Sequence, residues 1–346
     1  MKALVLEEYG KFAYRDAPDP KPYAPDEVLV RVRAVGICGS DVHGMDGSTG
    51  RRQPPLIMGH EAAGEIAALG PAARAAGWKE GDRVTFDSTV WCGECVACRS
   101  GDVNLCDNRK VLGVSCDEYK LDGAFAEYVV VPARILFRLP EGLSFKLAAM
   151  AEPVGVAMHA ASLPRLKPGA SVAIVGAGLI GLILLKIVRG MTAGKILAVD
   201  VDPGRLETAL AFGADAAFDA REGDVVRKLR EAAGGRGVDL AFEVAGATAP
   251  IATAVEATRK GGQVVLVGNA SPKIELALQS VVTRQISLLG SCAIAGEYPA
   301  ALGLMARGRL DVDPLVSAVA PLSEGAAWFA RLYVREKGLF KVILEP

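Results

Sequence analysis

The sequence predicts an α/β protein with two parts, one rich in short β-strands and one built on a parallel sheet. Three observations support this fold class. The first half contains short alternating strands, the chain changes near residue 165 to strands separated by helical segments, and a G-x-G-x-x-G turn follows one of those strands. A chain of 346 residues is long enough for two domains with substantial cores.

The first part reads as a small, partly open barrel or sandwich. Its clearest strand is residues 27 to 35, EVLVRVRAV, where alternation places Val28, Val30 and Val32 on one face. Three further short runs, separated by glycine or proline, read as strands: GEIAALG, DRVTFDS and FAEYVVVP.

The second part alternates strands with helices, which predicts a doubly wound parallel sheet. A buried strand over residues 171 to 175 precedes the glycine turn and an apolar helix to about Val188, and a second strand ends in Asp200. Later strands are predicted near residues 239–244, 263–268 and 286–289. A helix near 298–307 and a last strand, 340–344, are expected to return to the first part.

Composition narrows the class of protein. Lys plus Arg (39) nearly equal Asp plus Glu (40), so no basic excess suggests a nucleic-acid partner. The longest apolar stretch, Val172 to Leu185, is too short to span a bilayer, and MKALVLEEYGK does not resemble a signal peptide. Four of the seven cysteines are grouped, which suggests reduced, metal-bound thiols and a cytoplasmic location.

Four cysteines with the spacing C-x2-C-x2-C-x7-C predict a structural metal lobe. Four thiolates joined by short loops suit tetrahedral zinc, and such closed sites are structural rather than catalytic. A disulfide cluster and an iron–sulfur site are the alternatives, and zinc fits the spacing and the reducing compartment better. The predicted ligands are Cys92, Cys95, Cys98 and Cys106.

The glycine turn predicts a dinucleotide site. Gly176 would make the tight turn, Gly178 would admit a pyrophosphate, and Gly181 would let the helix pack closely on the strand. Asp200, at the end of the next strand, could accept bonds from both ribose hydroxyls and repel a 2′-phosphate, which favours NAD over NADP. Further cofactor contacts are predicted at Leu179, Ile180 and Arg205.

A second, catalytic zinc is predicted from side chains in three separate segments. Cys38 and His60 are suitable ligands, and Glu61 and Glu152 are alternative third ligands. Neighbouring side chains on a regular strand point to opposite faces. His60 and Glu61 can therefore share a metal only where the backbone is irregular, as Gly59 would permit.

Three more residues of the Cys38 segment have predicted roles. Asp41 could accept the second ring N–H of His60, the usual outer support of a zinc-bound histidine. Ser40 and His43 could pass the substrate proton outwards.

Together these motifs resemble the zinc-containing medium-chain alcohol dehydrogenase family over almost the whole chain. Glu61 and the Glu152-Pro153 pair resemble its polyol branch, the sorbitol (iditol), galactitol and galactitol-phosphate dehydrogenases. The resemblance implies a GroES-like β-rich catalytic domain over 1–154 and 290–346, with its zinc lobe at about 90–108. It also implies a Rossmann NAD-binding domain over 155–289 and a homodimer or homotetramer.

The implied reaction is hydride transfer between a secondary alcohol of a sugar alcohol, or its phosphate, and NAD. An amino-alcohol (threonine-type) or diol dehydrogenase is the alternative on this scaffold, and a relative without catalysis is a third. Sorbitol dehydrogenases usually carry an arginine and an aromatic residue where this chain has small residues, 291 to 295. Arg51 and Arg52 could bind a substrate phosphate instead, although a solvated loop is the preferred interpretation of this pair.

The motifs predict two zinc ions per chain. Metal analysis of protein prepared without chelator should find both. A strong chelator should remove one ion readily and abolish activity, because an open site exchanges more easily than a closed thiolate site. A single, tightly held metal would contradict the assignment of Cys38 and His60.

Overall fold

The structure, a computed structural model, describes residues 1–21 and 24–346. It divides into two compact units, one formed by Met1–Gly155 with Ile294–Pro346 and one by Val156–Ala293. The sequence placed the corresponding boundaries after residues 154 and 289.

The first segment of the chain consists mainly of short strands. They are β1 (Lys2–Glu8), β2 (Lys11–Asp16), β3 (Glu27–Gly36), β4 (Leu56–Ile57), β5 (Glu61–Leu69), β6 (Arg83–Phe86), β7 (Thr89–Val90), β8 (Lys110–Val111), β9 (Val114–Ser115), β10 (Lys120–Leu121), β11 (Tyr128–Pro132) and β12 (Leu136–Arg138). The helices are α1 (Gly39–Gly44), α2 (Pro71–Ala75), α3 (Val96–Ser100), α4 (Phe145–Ala148) and α5 (Ala151–Ser162).

The second unit alternates strands and helices. Its strands are β13 (Val172–Val175), β14 (Ile196–Asp200), β15 (Ala216–Asp219), β16 (Val238–Glu243), β17 (Thr258–Leu266) and β18 (Ser287–Gly290). Between them lie α6 (Leu179–Arg189), α7 (Pro203–Ala211), α8 (Val225–Ala232), α9 (Thr248–Ala257) and α10 (Leu278–Thr283). All neighbouring strands are parallel, in the order β15-β14-β13-β16-β17-β18. This is the doubly wound Rossmann order, as the sequence predicts.

The rest of the chain contains α11 (Tyr298–Ala306), β19 (Val316–Pro321), α12 (Gly325–Tyr333) and β20 (Lys341–Glu345). These elements belong to the first unit, where β20 pairs with β3. The expectation that the chain returns to its first part agrees with this pairing.

Strand β3 is the centre of the first unit. It pairs with β5 along one edge and with β11 and β20 along the other, within a seven-stranded sheet. The alternation read from the sequence holds, because Val28, Val30 and Val32 are buried in the core of this unit. This sheet is what brings the ends of β3, β5 and β20 together.

The core of the second unit contains the apolar strand that the sequence predicts before the glycine turn. Strand β13 is buried over its whole length, as expected for a strand in a parallel sheet that is covered on both faces. In the described part of the chain, no helix has the length and apolar character needed to span a membrane.

Candidate metal centres and nucleotide site

The structure brings three predicted zinc ligands together in the first unit. One donor atom each from Cys38, His60 and Glu61 lies within 4.8 Å of the others. Cys38 is the N-cap of α1, His60 immediately precedes β5, and Glu61 is the first residue of β5. We call these three residues the donor cluster. A thiol, an imidazole and a carboxylate are a donor set that suits zinc.

Two glycines make this arrangement possible. Gly59 has φ +94°, in the left-handed region, so the chain is irregular just before His60, as the sequence analysis requires. Gly36 lies opposite Glu61 in the pairing of β3 with β5. A Cβ on Gly36 would lie 2.3 Å from Oε2 of Glu61, so any other residue at this position would displace that carboxylate from where Lys341 holds it.

Asp41 supports the donor cluster from the first turn of α1. Its buried Oδ1 lies 3.4 Å from Nδ1 of His60, and its Oδ2 accepts a 3.4 Å hydrogen bond from the Cys38 amide. Burial alone would raise the pKa of Asp41, but His60 and the Arg52 guanidinium outweigh it and lower that pKa to about 2. Asp41 is therefore an anion that faces Nδ1 and leaves the other ring nitrogen for a metal.

Glu61 is held by a lysine from the far end of the chain. The buried ammonium of Lys341 pairs with Oε2 of Glu61 and also donates a 2.9 Å hydrogen bond to the carbonyl of Ile37. Burial lowers the pKa of Lys341, but the negative charge of Glu61 more than offsets this and raises it. Since Oε2 is engaged, the second carboxylate oxygen is the one left for a metal.

Glu152, the alternative third ligand, lies outside the donor cluster. It is in the first turn of α5, and Ser88 donates a 3.4 Å hydrogen bond to its Oε1. Burial is the main cause that raises the pKa of this carboxyl to about 7. The geometry thus favours Glu61 as the third donor.

The two predicted proton-path residues, Ser40 and His43, are exposed on α1. Arg52 corrects one expectation of the sequence analysis. This arginine is only 5% exposed and pairs with Asp41 at 3.0 Å, so it is neither in a solvated loop nor free to meet a phosphate. Arg51, by contrast, is exposed and donates to Tyr119 Oη at 3.4 Å.

The four-cysteine lobe is assembled as predicted, with its sulfur atoms within 4.8 Å of one another. Cys95 caps α3 and accepts from the Cys98 amide at 3.5 Å, while the Cys92 amide donates to Cys106 at 3.3 Å. Backbone amides of Glu94 and Cys95 lower the pKa of Cys92 to about 6. Amides directed at clustered sulfurs fit a closed thiolate site for zinc.

In the second unit, the glycine turn has the form that a pyrophosphate needs. Gly176 has φ +105°, and a Cβ on Gly181 would lie 1.9 Å from the Gly176 carbonyl oxygen, so helix and turn are in contact. Gly178 is the N-cap of α6, and Leu179 and Ile180 form its partly buried first turn. The backbone amides of the first turn of α6 therefore lie beside two glycines, which have no side chain to obstruct a pyrophosphate.

Asp200 ends β14 next to this turn and is 7% exposed. Its Oδ2 accepts a 2.7 Å bond from the Ala177 amide, and its Oδ1 accepts bonds from the amides of Val201 and Asp202 at 2.8 and 3.0 Å. Arg205 lies 3.9 Å from Oδ2. The carboxylate thus fixes the glycine turn, and the lone pair left on Oδ2 is the one available to a ribose hydroxyl.

Comparison with known proteins decides the family. The alcohol dehydrogenase GroES-like domain family matches residues 24–141, and the zinc-binding dehydrogenase family matches residues 180–307. Sorbitol dehydrogenase of Bacillus subtilis (strain 168) is 35% identical over 350 residues, which cover 100% of this chain and 97% of that protein. The chain belongs to the zinc-binding alcohol dehydrogenases. The family resemblance drawn from the motifs is confirmed, and the protein is an oxidoreductase.

Solved structures of other dehydrogenases have the same fold. Galactitol-1-phosphate dehydrogenase from Escherichia coli superimposes with a TM-score of 0.90 at 27% identity, covering 100% of both chains. A zinc-binding dehydrogenase from Sinorhizobium meliloti 1021, bound to NADP, gives a TM-score of 0.90 at 32% identity and covers 100% of this chain and 99% of its own. The predicted polyol branch is thus represented among the relatives of this dehydrogenase.

Two residues that support the donor cluster of the dehydrogenase were not found from the sequence. Lys341 belongs to a strand 280 residues away from Glu61, and nothing local to either residue links them. For Arg52, the sequence suggested a solvated loop or a contact with a substrate phosphate, and not a buried partner of Asp41. A buried lysine could have been suspected from its place within the apolar run FKVIL, where an unpaired charge would be costly.

The two candidate third ligands of the dehydrogenase can be separated by matched substitutions. Glu61→Gln should lower the affinity of the exchangeable zinc, by roughly 10- to 100-fold if the effect matches that of other ligand-shell changes. Glu152→Gln should keep both zinc ions. Zinc content after dialysis against graded chelator measures both variants. Loss of zinc in Glu152→Gln with retention in Glu61→Gln would reverse the assignment.

Asp87 gives a prediction for the pH dependence of stability. This buried residue follows β6, and burial raises the pKa of its carboxyl from 3.8 to about 6. The unfolded chain releases this proton at lower pH than the folded chain, so the folded state loses stability as the pH rises from about 4 to 6. Asp87→Asn removes this loss.

Between pH 5 and pH 7, Asp87→Asn should gain about 1 kcal/mol in free energy of unfolding relative to wild type. Urea unfolding at both pH values measures this difference. Glu141→Gln, the same carboxyl-to-amide change at an exposed residue, is the control. A wild-type-to-variant difference that does not change between pH 5 and pH 7 would show that Asp87 does not titrate in this range, and would contradict a pKa of about 6.

Proposed function

We propose that the chain is an NAD-dependent, zinc-dependent polyol dehydrogenase that transfers a hydride between a secondary alcohol and NAD. The observation that carries the proposal is the donor cluster of Cys38, His60 and Glu61, each residue fixed by a second, buried contact. Relatives that act on sorbitol and on galactitol 1-phosphate support the substrate class.

In the proposed site, zinc bound to the donor cluster would supply Lewis-acid activation of the substrate hydroxyl, and NAD would accept the hydride. The residues of the chain do the rest. Asp41 orients His60, and Lys341 holds Glu61. The Ser40 hydroxyl accepts the substrate proton on its oxygen and donates its own proton toward His43 at the surface. Glu152, a buried carboxyl that accepts a hydrogen bond from Ser88, is proposed as an additional proton-holding group near the cluster.

The preference for NAD is proposed from Asp200. Its buried negative charge at the end of β14 would lie close to a 2′-phosphate, and Arg205, the nearest cation, is already within 3.9 Å of that carboxylate. A free arginine facing the 2′ position would be needed to favour NADP. Two further proposals remain: the family resemblance suggests a homodimer or homotetramer, and the grouped, reduced cysteines suggest a cytoplasmic location.

The substrate is proposed to carry a hydroxyl next to the alcohol that is oxidised. Since Arg52 is occupied by Asp41, only Arg51 of the pair is available to a substrate phosphate. A threonine-type amino-alcohol or a diol is the alternative substrate class, because the same donor cluster would serve it.

An NAD-reduction screen tests this function. It should compare sugar alcohols, their phosphates, inositols, diols and threonine, and a sugar alcohol or its phosphate should give the highest kcat/KM. Cys38→Ser should abolish turnover, while Cys116→Ser, a cysteine outside both metal clusters, should retain it. Preferred oxidation of threonine, or turnover that survives Cys38→Ser, would contradict the proposal.

A further inference from the structure

Arg52 is a buried cation whose guanidinium donates hydrogen bonds to other groups of the protein. Its Nη2 and Nε donate to Oδ1 of Asp41 at 3.0 and 3.3 Å, and its Nη1 donates to the Arg51 carbonyl at 3.1 Å. Nη2 also lies 3.4 Å from the Ser40 hydroxyl oxygen. Every nitrogen of the guanidinium thus has a partner, and two of the partners are Asp41 and Ser40.

The surrounding chain is shaped to hold this side chain. A Cβ on Gly44 would lie 2.5 Å from Cγ of Arg52, so the last residue of α1 leaves room for the arginine stem. The backbone on either side of Arg52 is bonded to Ser115, whose amide donates to Arg51 at 3.2 Å and whose carbonyl accepts from Gln53 at 3.0 Å. Arg52 is therefore fixed from both its backbone and its side chain.

What Arg52 fixes is a carboxylate that contacts two members of the donor cluster. Asp41 faces His60 with Oδ1 and the Cys38 amide with Oδ2. Nε and Nη2 of the planar guanidinium both donate to one oxygen, Oδ1, and two charge-assisted donors hold that oxygen more firmly than one would.

We propose that Arg52 is a positioning residue for the catalytic zinc: it fixes Asp41, and through Asp41 the His60 ring and the Cys38 segment, while it also holds the Ser40 hydroxyl. This inference rests on the proposed zinc site at the donor cluster. Ser40 accepts from Arg52 and so keeps its own O–H free to act as a donor in the proton path. Arg52 thereby links the metal support and the proton path through one side chain.

The proposal predicts a selective defect. Arg52→Gln removes the planar fork, so the affinity of the exchangeable zinc should fall roughly 10- to 100-fold, the range seen when outer-shell support is lost. The zinc of the four-cysteine lobe and the KM for NAD should not change, because Arg52 belongs to neither of these sites. Arg52→Lys keeps the charge but offers a point donor instead of a fork, and should give an intermediate loss.

The experiment measures zinc affinity by competition with a chromophoric chelator, together with kcat and the visible spectrum of the cobalt-substituted protein. Arg51→Gln, the exposed neighbour, is the matched control for the metal site and should match wild type in zinc affinity and in the cobalt spectrum. An altered cobalt spectrum in Arg52→Gln is expected, since the His60 ring loses its fixed orientation. Wild-type zinc affinity and spectrum in Arg52→Gln or Arg52→Lys would overturn the proposal.

A double-mutant cycle separates positioning from a general contribution to folding. In an Asp41→Asn background, Arg52→Gln should lower zinc affinity much less than in wild type, because the Asp41 carboxylate through which Arg52 acts is already absent. Equal losses in both backgrounds, with zinc affinity following the fall in Tm, would overturn the proposal in favour of a structural role. If Arg52→Gln does not fold, Arg52→Lys carries the same comparison.

Failure of the zinc site itself gives a different result. A wild-type chain that binds only the lobe zinc would overturn both the proposed function and this inference. A wild-type chain with two zinc ions whose exchangeable site is unaffected by Arg52→Gln would overturn this inference alone.

Discussion

The buried ion pair between Glu61 and Lys341 is the interaction on which the first unit's candidate site depends. It lies where three strands meet, since Glu61 begins β5, Gly36 ends β3 and Lys341 begins β20. Breaking a buried pair of this kind by removing one partner typically costs about 3–5 kcal/mol, because the remaining charge is left uncompensated. The same pair fixes one oxygen of Glu61 and so decides which oxygen faces Cys38 and His60. The contact between Lys341 and Glu61 therefore serves both the packing of the sheet and the arrangement of the metal ligands.

The donor cluster is surrounded by a shell of charges that compensate one another. Asp41 lies between His60 and Arg52, and Lys341 lies against Glu61, so Asp41 and Glu61 each have a buried cation. Such full pairing is what allows charged groups to be buried at all. It also means that the ligands are held before any metal arrives, which lowers the ordering that binding must accomplish.

The sequence predicted the features whose signal is local. The cysteine spacing, the glycine turn and the Gly59-His60-Glu61 run each place their chemistry within a few residues, and the long strands β3 and β13 follow from their hydrophobic patterns. It did not predict Lys341 or the burial of Arg52, because those contacts depend on how distant strands pair. It also missed β1, β2 and most helices of the second unit. Short strands of mixed polarity and short helices have weak periodicity, and tertiary packing decides them.

The position of Lys341 implies an order of maturation during synthesis. The four cysteines of the lobe, residues 92 to 106, leave the ribosome early and close together, so their metal can be captured while most of the chain is still being made. Lys341 is synthesised 280 residues after Glu61, so the partner of this carboxylate becomes available only near the end of translation. Until β20 docks against β3, Glu61 is an uncompensated carboxylate and the donor cluster is not fixed. The nascent protein would thus acquire its structural metal first and become competent for its second metal only after translation has passed Lys341.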